Sequence, residues 1–126
     1  MKPAVEIRNQ EGGMIARIWH GYTLPEHADA YEAMLKPELL PGIGKIPGYR
    51  GSYLLRRPLG NEIEFVTVIF ADSLDHIRAV AGEEYENAVV PENRRKHLSR
   101  WDEKVTHYEI ASTHGLPGHG LPGFGG

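Results

Sequence analysis

The sequence predicts an α+β fold of the ferredoxin-like type: a four-stranded antiparallel sheet with helices on one face. The first supporting observation is that two-residue and helical hydrophobic spacings alternate along the chain in the order β-α-β-β-α-β. The second is a Pro-Leu-Gly-Asn turn signal at residues 58–61, which joins two strand patterns into a hairpin. The third is the length of 126 residues, which suits one hydrophobic core because a second domain would be too small to bury its own.

The first half of the chain contains a strand, a helix and a second strand. Residues 14–20 are rich in β-branched and aromatic side chains, which predicts a strand. Residues 23–26 read Thr-Leu-Pro-Glu, a capping box that predicts the start of a helix, and Pro37 predicts its end or a kink. Residues 49–57 form the next strand pattern. Three residues share the expected buried face of the helix: Ala28, Tyr31 and Leu35.

The second half of the chain has the same order of strand, helix and strand. Residues 62–70 predict the third strand, which completes the hairpin. Asp72 or Ser73 is expected to cap a second helix that ends at Gly82. Residues 105–110 predict the last strand, so both helices connect strands of a single sheet.

Both ends of the chain differ in composition from the middle. We expect residues 1–13 to form an N-terminal arm, residues 14–110 the domain, and residues 111–126 a tail. The tail has two overlapping copies of Gly-Leu-Pro-Gly-x-Gly and contains no Asp, Glu, Lys or Arg. Glycine and proline at this density disfavour helices and strands, which predicts a flexible tail.

Composition and motifs exclude several function classes. The formal charge is −3 with no broad basic field, which argues against a nucleic-acid partner. The absence of cysteine excludes disulfides, thiolate catalysis and cysteine-ligated metal clusters. No apolar run approaches the roughly 18 residues of a membrane span, so we expect no membrane partner and a cytoplasmic location. No nucleotide-binding or metal-ligand motif is present, so neither a metal nor another cofactor is expected.

The third strand is apolar on both faces, because alternate residues of a strand point to opposite sides. One face carries Ile63, Phe65 and Ile69, and the other carries Val66, Val68 and Phe70. The helices can cover only one of these faces, and large apolar patches are rarely exposed on monomers. The sequence therefore predicts a homodimer that pairs sheet face on sheet face.

Four stretches resemble a known family: MIARIWHGYT, PGYRGSYLLRR, EFVTVIFADSLD and AVVPENRRKHLSRWDEKVTHYEI. In this order they are similar to the antibiotic biosynthesis monooxygenase domain family, over residues 14–110. The resemblance implies a dimeric α/β barrel with a ligand pocket in each protomer between sheet and helices. It also implies a cofactor-independent monooxygenase-like protein that oxidises a small aromatic or quinol-type compound with dioxygen.

Two alternatives remain open beside this reading. One is a non-catalytic dimeric module that binds a small ligand, because one fold supports many functions. The other is a haem-binding protein of the same fold. Haem-degrading members of the family pair an Asn on the first strand with a Trp on the third and a His on the following helix. This sequence has Trp19 or His20, then Phe70, then Val80, so the resemblance does not extend to haem degradation.

Candidate site residues are the aromatic and basic side chains near the strands. Histidine titrates near neutral pH, so His20 or His76 is the expected base for an acidic phenol or enol. Arg56 and Tyr53 are the expected donors to a developing oxyanion. Trp19 and Phe70 are expected to form walls of the pocket, and strand alternation places Trp19 and His20 on opposite sides.

Overall fold

The computed structural model describes residues 14–43 and 46–112, and for residues 38–43 it describes the backbone alone. The predicted N-terminal arm lies outside these residues, and so does the predicted tail beyond its first two residues. The flexibility of the tail therefore stays a prediction.

The described chain contains five strands and three helices. The strands are β1 (Ile15–Thr23), β2 (Tyr49–Leu59), β3 (Glu62–Ala71), β4 (Arg100–Trp101) and β5 (Thr106–Glu109). The helices are α1 (Pro25–Ile43), α2 (Leu74–Ala81) and α3 (Glu92–Arg95). The predicted α+β class and element order are confirmed, and α3 and β4 are two short elements before the last strand. Within the described part of the chain, no helix is long and apolar enough to cross a membrane.

All strand pairs are antiparallel, in the order β2-β3-β1. The free edge of β1 is shared by two short strands, with β5 beside residues 15–18 and β4 beside residues 21–22. The sheet is therefore four positions wide, as predicted, although five strands build it. Its register places Trp19 opposite Thr67 and His20 opposite Val66, so neighbouring residues of β1 face opposite sides of the sheet.

Helix α1 covers one face of the sheet. Tyr31 packs edge-on against Phe65 of β3, with ring centroids 4.9 Å apart. The three residues that share the apolar face of the helix are each at most 1% exposed, as the spacing predicts: Ala28, Tyr31 and Leu35. Aromatic rings of this size bury a large area, so this contact anchors the helix to the centre of the sheet.

Helix α2 covers the other end of the same face. Leu74 and Ile77 are buried against the start of β1 and the end of β3. Ser73 is the N-cap, and its Oγ accepts a hydrogen bond of 3.3 Å from the backbone N–H of His76. Gly82 ends the helix with φ of 87°, a conformation that favours glycine.

The opposite face of the sheet is not covered by any described helix. We call this surface the open sheet face. The strand register places on it the polar group of His20, Arg57 and Glu64, together with an apolar and aromatic set: Ile18, Tyr22, Tyr53, Leu55, Val66, Val68, Phe70 and Tyr108. Leu55 is 49% exposed and Tyr108 is 55% exposed. The helices therefore cover one apolar face of β3 and leave the other without a described helix, while the homodimer stays a prediction.

Thr23 does not act as the predicted cap of α1, and Pro37 does not end the helix. Thr23 is part of β1, because pairing with Ile63 extends that strand by three residues. Its Oγ1 is buried without a hydrogen-bond partner among the described residues, so it does not cap the helix. Pro37 lies inside α1, which continues to Ile43. The proline is on an exposed side of the helix, where it removes one backbone hydrogen bond without disturbing the core.

Candidate functional site

A cavity of about 160 Å³ lies on the helix-covered face of the sheet. We call it the Arg17–Trp19 cavity after the two β1 residues that line it. Its described lining is Arg17, Trp19, Ile69, Ala88, Val89, Arg94 and Val105. An engineered apolar cavity of about 150 Å³ binds benzene, so this volume suits a compound with one aromatic ring.

The outer wall of the cavity consists of two extended chain segments that pair with each other. The backbone N–H of Ala88 donates to the carbonyl of Glu103, and that of Val105 donates to the carbonyl of Glu86, both at 2.8 Å. These bonds hold Ala88 and Val105 in place above the sheet. Val89 is 83% exposed, so the cavity opens to solvent on its side.

The Trp19 ring is fixed in orientation at the other side of the cavity. Its Nε1 donates a 2.7 Å hydrogen bond to the carbonyl of Asp102. The ring also lies over Gly21, where an added Cβ would come within 3.2 Å of ring carbons and 3.1 Å of Leu98 Cδ2. Glycine at this position therefore leaves room for the ring, which presents an apolar surface to the cavity.

Arg17 is the polar centre of the cavity lining. Its Nη1 donates a 2.8 Å hydrogen bond to the carbonyl of Tyr85 and lies 2.9 Å from Nε2 of His107. A guanidinium can only donate, so His107 Nε2 accepts and the imidazole proton is on Nδ1. Burial lowers the pKa of Arg17, which the nearby Tyr49 partly offsets.

His107 is a neutral partner of Arg17. Burial, and then the charge of Arg17, lower the pKa of His107 to about 4. The ring packs edge-on against Tyr85, with centroids 5.1 Å apart. At neutral pH this imidazole is an uncharged acceptor that holds the guanidinium in one orientation.

Three of the six site residues predicted from the sequence lie on the open sheet face. His20 is there, with Nδ1 3.0 Å from Oε2 of the buried Glu64. Tyr53 and Phe70 pack edge-on against each other, with centroids 5.8 Å apart. Strand alternation separates all three from Trp19, so the sheet lies between them and the cavity.

Arg56 and His76 are on the helix-covered side, but other partners hold them away from the cavity. Arg56 Nη1 is 2.8 Å from a carboxylate oxygen of Glu32 and 3.1 Å from one of Asp29, both on α1. These carboxylates raise the pKa of Arg56. His76 Nδ1 is 2.8 Å from Ser73 Oγ, and its ring lies against Gly48. Of the six predicted residues the structure brings Trp19 alone to the described cavity, and their chemical roles stay predictions.

Sequence reasoning missed Arg17, Arg94 and His107. Arg17 shares a strand face with Trp19, two residues away, and that spacing was a usable signal. His107 becomes its partner only because β5 pairs with β1 in a register that sets Arg17 opposite His107. The described lining contains two guanidinium groups and no carboxylate or imidazole. Within the described ranges no group of three or more His, Cys, Asp or Glu side chains could hold a metal ion.

Comparisons with known proteins support the fold. No family model matches the chain, and no curated protein does. Three solved structures share its architecture, each provisionally named an antibiotic biosynthesis monooxygenase. The Bacillus cereus protein is 15% identical with a TM-score of 0.62, and the match covers 83% of this chain and 98% of that one.

The other two structures agree with the first. The Bordetella bronchiseptica protein is 16% identical with a TM-score of 0.53, over 79% of this chain and 97% of that one. The Chloroflexus aurantiacus J-10-fl protein is 18% identical with a TM-score of 0.51, over 81% and 97%. The chain thus has the ferredoxin-like fold of proteins that carry the monooxygenase name, and the resemblance seen in the sequence is confirmed at the level of the fold.

Proposed function

We propose that this chain is a cofactor-independent monooxygenase-like protein that oxidises a single-ring quinol-type compound with dioxygen. The observation that carries the proposal is a fixed guanidinium beside an aromatic wall in a cavity of one-ring size. The names of the solved structures support the reaction class, and their likeness to this chain is one of fold. A cytoplasmic location remains part of the proposal.

In this proposal the ring of the substrate packs against Trp19, and an ionising hydroxyl faces Arg17. The positive charge of Arg17 beside this hydroxyl favours its anion and therefore lowers the pKa of the substrate hydroxyl. The proton leaves through the open side of the cavity at Val89 to solvent. The quinol anion is electron-rich enough to reduce dioxygen directly, and the substrate supplies every electron. For hydroquinone, one oxygen atom enters the ring, which becomes a hydroxyquinone, and the other leaves as water.

The open sheet face supports the second part of the proposal, a homodimer. Val66 and Val68 are partly exposed along β3, and Leu55 beside them is half exposed. Phe70 continues this apolar strip but is already buried within the single chain. A second copy of the same face would remove this surface from water by an isologous contact. The cavity lies on the other side of the sheet, so each protomer would keep its own ligand site.

The alternative of a non-catalytic binding module has one observation in its favour. None of the described lining residues is a base. His107, the imidazole next to Arg17, already uses its Nε2 lone pair to accept from the guanidinium. Such a site can bind an anion without accepting a proton from it. The haem alternative gains no support from the Arg17–Trp19 cavity, which at about 160 Å³ is too small for a four-ring macrocycle.

Oxygen uptake with a panel of single-ring hydroquinones tests the proposal, with isotopically labelled dioxygen to trace the atom that enters the product. We expect uptake above the autoxidation of the buffer and one labelled oxygen atom in the hydroxyquinone. Arg17→Gln should reduce the rate about 100-fold, the usual cost of losing an oxyanion donor. Arg56→Gln is the comparison variant from outside the cavity and should stay within a few-fold of wild type.

Two results would overturn the proposal. Specific binding without uptake for every compound of the panel would make the binding module the better description. An effect of Arg56→Gln equal to that of Arg17→Gln would place the chemistry outside the Arg17–Trp19 cavity.

A further inference from the structure

Arg17 differs from five other described arginines in the kind of group that it contacts. Five arginines have a nitrogen within 3.1 Å of an Asp or Glu oxygen: Arg50, Arg56, Arg57, Arg78 and Arg100. The two partners of Arg17 are the Tyr85 carbonyl and the His107 imidazole, and both are uncharged. Among the described residues no carboxylate forms an ion pair with Arg17.

This arrangement leaves a partly buried positive charge without a counter-ion in the described part of the chain. Removing a cation from water is costly unless an anion compensates it, so the site favours an anion that enters with the ligand. Arg94 lines the same cavity. The Nη1 of Arg17 is committed to its two acceptors, while Nε and Nη2 have no hydrogen-bond partner among the described residues.

Trp19 and His107 define the rest of the ligand. The only polar atom of the Trp19 side chain is already bonded to the Asp102 carbonyl, so the ring offers an apolar surface and no hydrogen bond. The neutral His107 orients the Arg17 guanidinium without cancelling its charge, which a carboxylate in the same place would do. A ligand that fits both residues therefore has a flat apolar ring and a negatively charged planar group. A planar carboxylate can accept two parallel hydrogen bonds from a guanidinium.

We propose that the Arg17–Trp19 cavity binds a single-ring aromatic carboxylate, with the ring against Trp19 and the carboxylate on Arg17. This inference rests on the proposed function and makes it more specific: the quinol-type substrate belongs to the hydroxybenzoate class. Its negative charge is present before binding and does not depend on ionisation of a phenol in the cavity. A hydroxyl next to the carboxylate would share Arg17 through its two uncommitted nitrogens, as the proposed function requires, and the open side at Val89 leaves space for the second ring hydroxyl.

Benzoate and benzamide are the probes that test it, because they have nearly the same shape and differ in charge. Calorimetric titration of the full chain should show benzoate binding at least about 10-fold more tightly than benzamide, the range of a charge-assisted hydrogen bond. Arg17→Gln should abolish this preference. Arg50→Gln, a matched variant whose guanidinium pairs with Asp72 at the surface, should retain it.

Equal affinities of the wild-type chain for the two probes would overturn the inference, as would a preference that survives in Arg17→Gln. The comparison of benzoate with benzamide uses only the wild-type chain, so it tests the inference even if Arg17→Gln fails to fold. Neither probe is a quinol, which separates this test from the oxidation assay. Arg17-dependent oxidation of quinols without a benzoate preference would contradict only the inference. A benzoate preference without oxidation of any quinol would contradict only the proposed function.

Discussion

Arg17 Nη1 and His107 Nε2 are 2.9 Å apart and belong to a directly opposed residue pair of β1 and β5. The contact requires a neutral imidazole, because a protonated His107 would turn two donors and two positive charges toward each other. The pair therefore connects the orientation of the cavity arginine to the protonation state of a residue 90 positions away in the sequence.

The first prediction concerns the acid stability of the fold. The pKa of His107 is about 4 in the folded chain, below the ordinary 6.5, so the unfolded chain takes up the proton first as the pH falls. The stability from the neutral imidazole is complete above about pH 6.5 and declines as the pH falls toward 4. Between pH 6.5 and 4 this histidine should lower the free energy of unfolding of wild type by up to about 2–3 kcal/mol, and His107→Gln should remove that part of the decline.

Urea unfolding at a series of pH values between 4 and 7.5 measures this effect. His27→Gln is the matched control, because His27 is exposed on α1 and its replacement should leave the pH dependence as in wild type. If the free energy of unfolding of His107→Gln declined with falling pH as steeply as that of wild type, His107 would not be a partly buried neutral imidazole in the folded chain.

The second prediction concerns the open sheet face. Val66 lies on this face, opposite His20 and Leu55, whereas its neighbour Phe65 packs against Tyr31 of α1. We expect wild type to be a dimer at micromolar concentration and Val66→Asp to be a monomer, since burying a carboxylate in the apolar strip of the interface carries a large desolvation cost. Light scattering coupled to size-exclusion chromatography gives both masses. Val80→Asp on the exposed side of α2 should remain dimeric, and a monomeric wild type would refute the dimer.

The third prediction assigns a packing role to His76. Gly48 has φ of 85°, and a Cβ built there would overlap the His76 ring. Gly48→Ala should therefore destabilise the fold by about 1–3 kcal/mol through backbone strain and overpacking. Combining it with His76→Ala removes the overlap and should recover part of the loss. A double-mutant cycle of unfolding free energies measures the coupling, and strictly additive losses would show that the ring and the glycine do not interact.

The sequence predicted those features that depend on local spacing. The apolar face of α1, the Ser73 cap and the two apolar faces of β3 follow from residue periodicity, and the structure has all three. The site depends on long-range register, which periodicity does not encode. Arg17 and His107 meet through strand pairing, and His20 is separated from Trp19 by the sheet although the two are adjacent in the chain.

Thr23 is a second residue whose structure is decided by long-range strand pairing and not by the local sequence pattern. Read with Glu26 it forms a helix-capping pattern, yet cross-strand pairing with Ile63 keeps it in β1. Tertiary pairing outweighs a local cap, because an N-cap contributes only about 1 kcal/mol while the added strand residues gain several backbone and packing contacts.

The Arg17–Trp19 cavity is best tested by a crystal structure of the chain with a bound single-ring hydroxybenzoate. We expect the ring beside Trp19, with a ligand oxygen within hydrogen-bond distance of Arg17 Nε or Nη2 and the His107 contact intact. Ligand density on the open sheet face near His20, with the Arg17–Trp19 cavity left without ligand, would show that the site lies on the other side of the sheet.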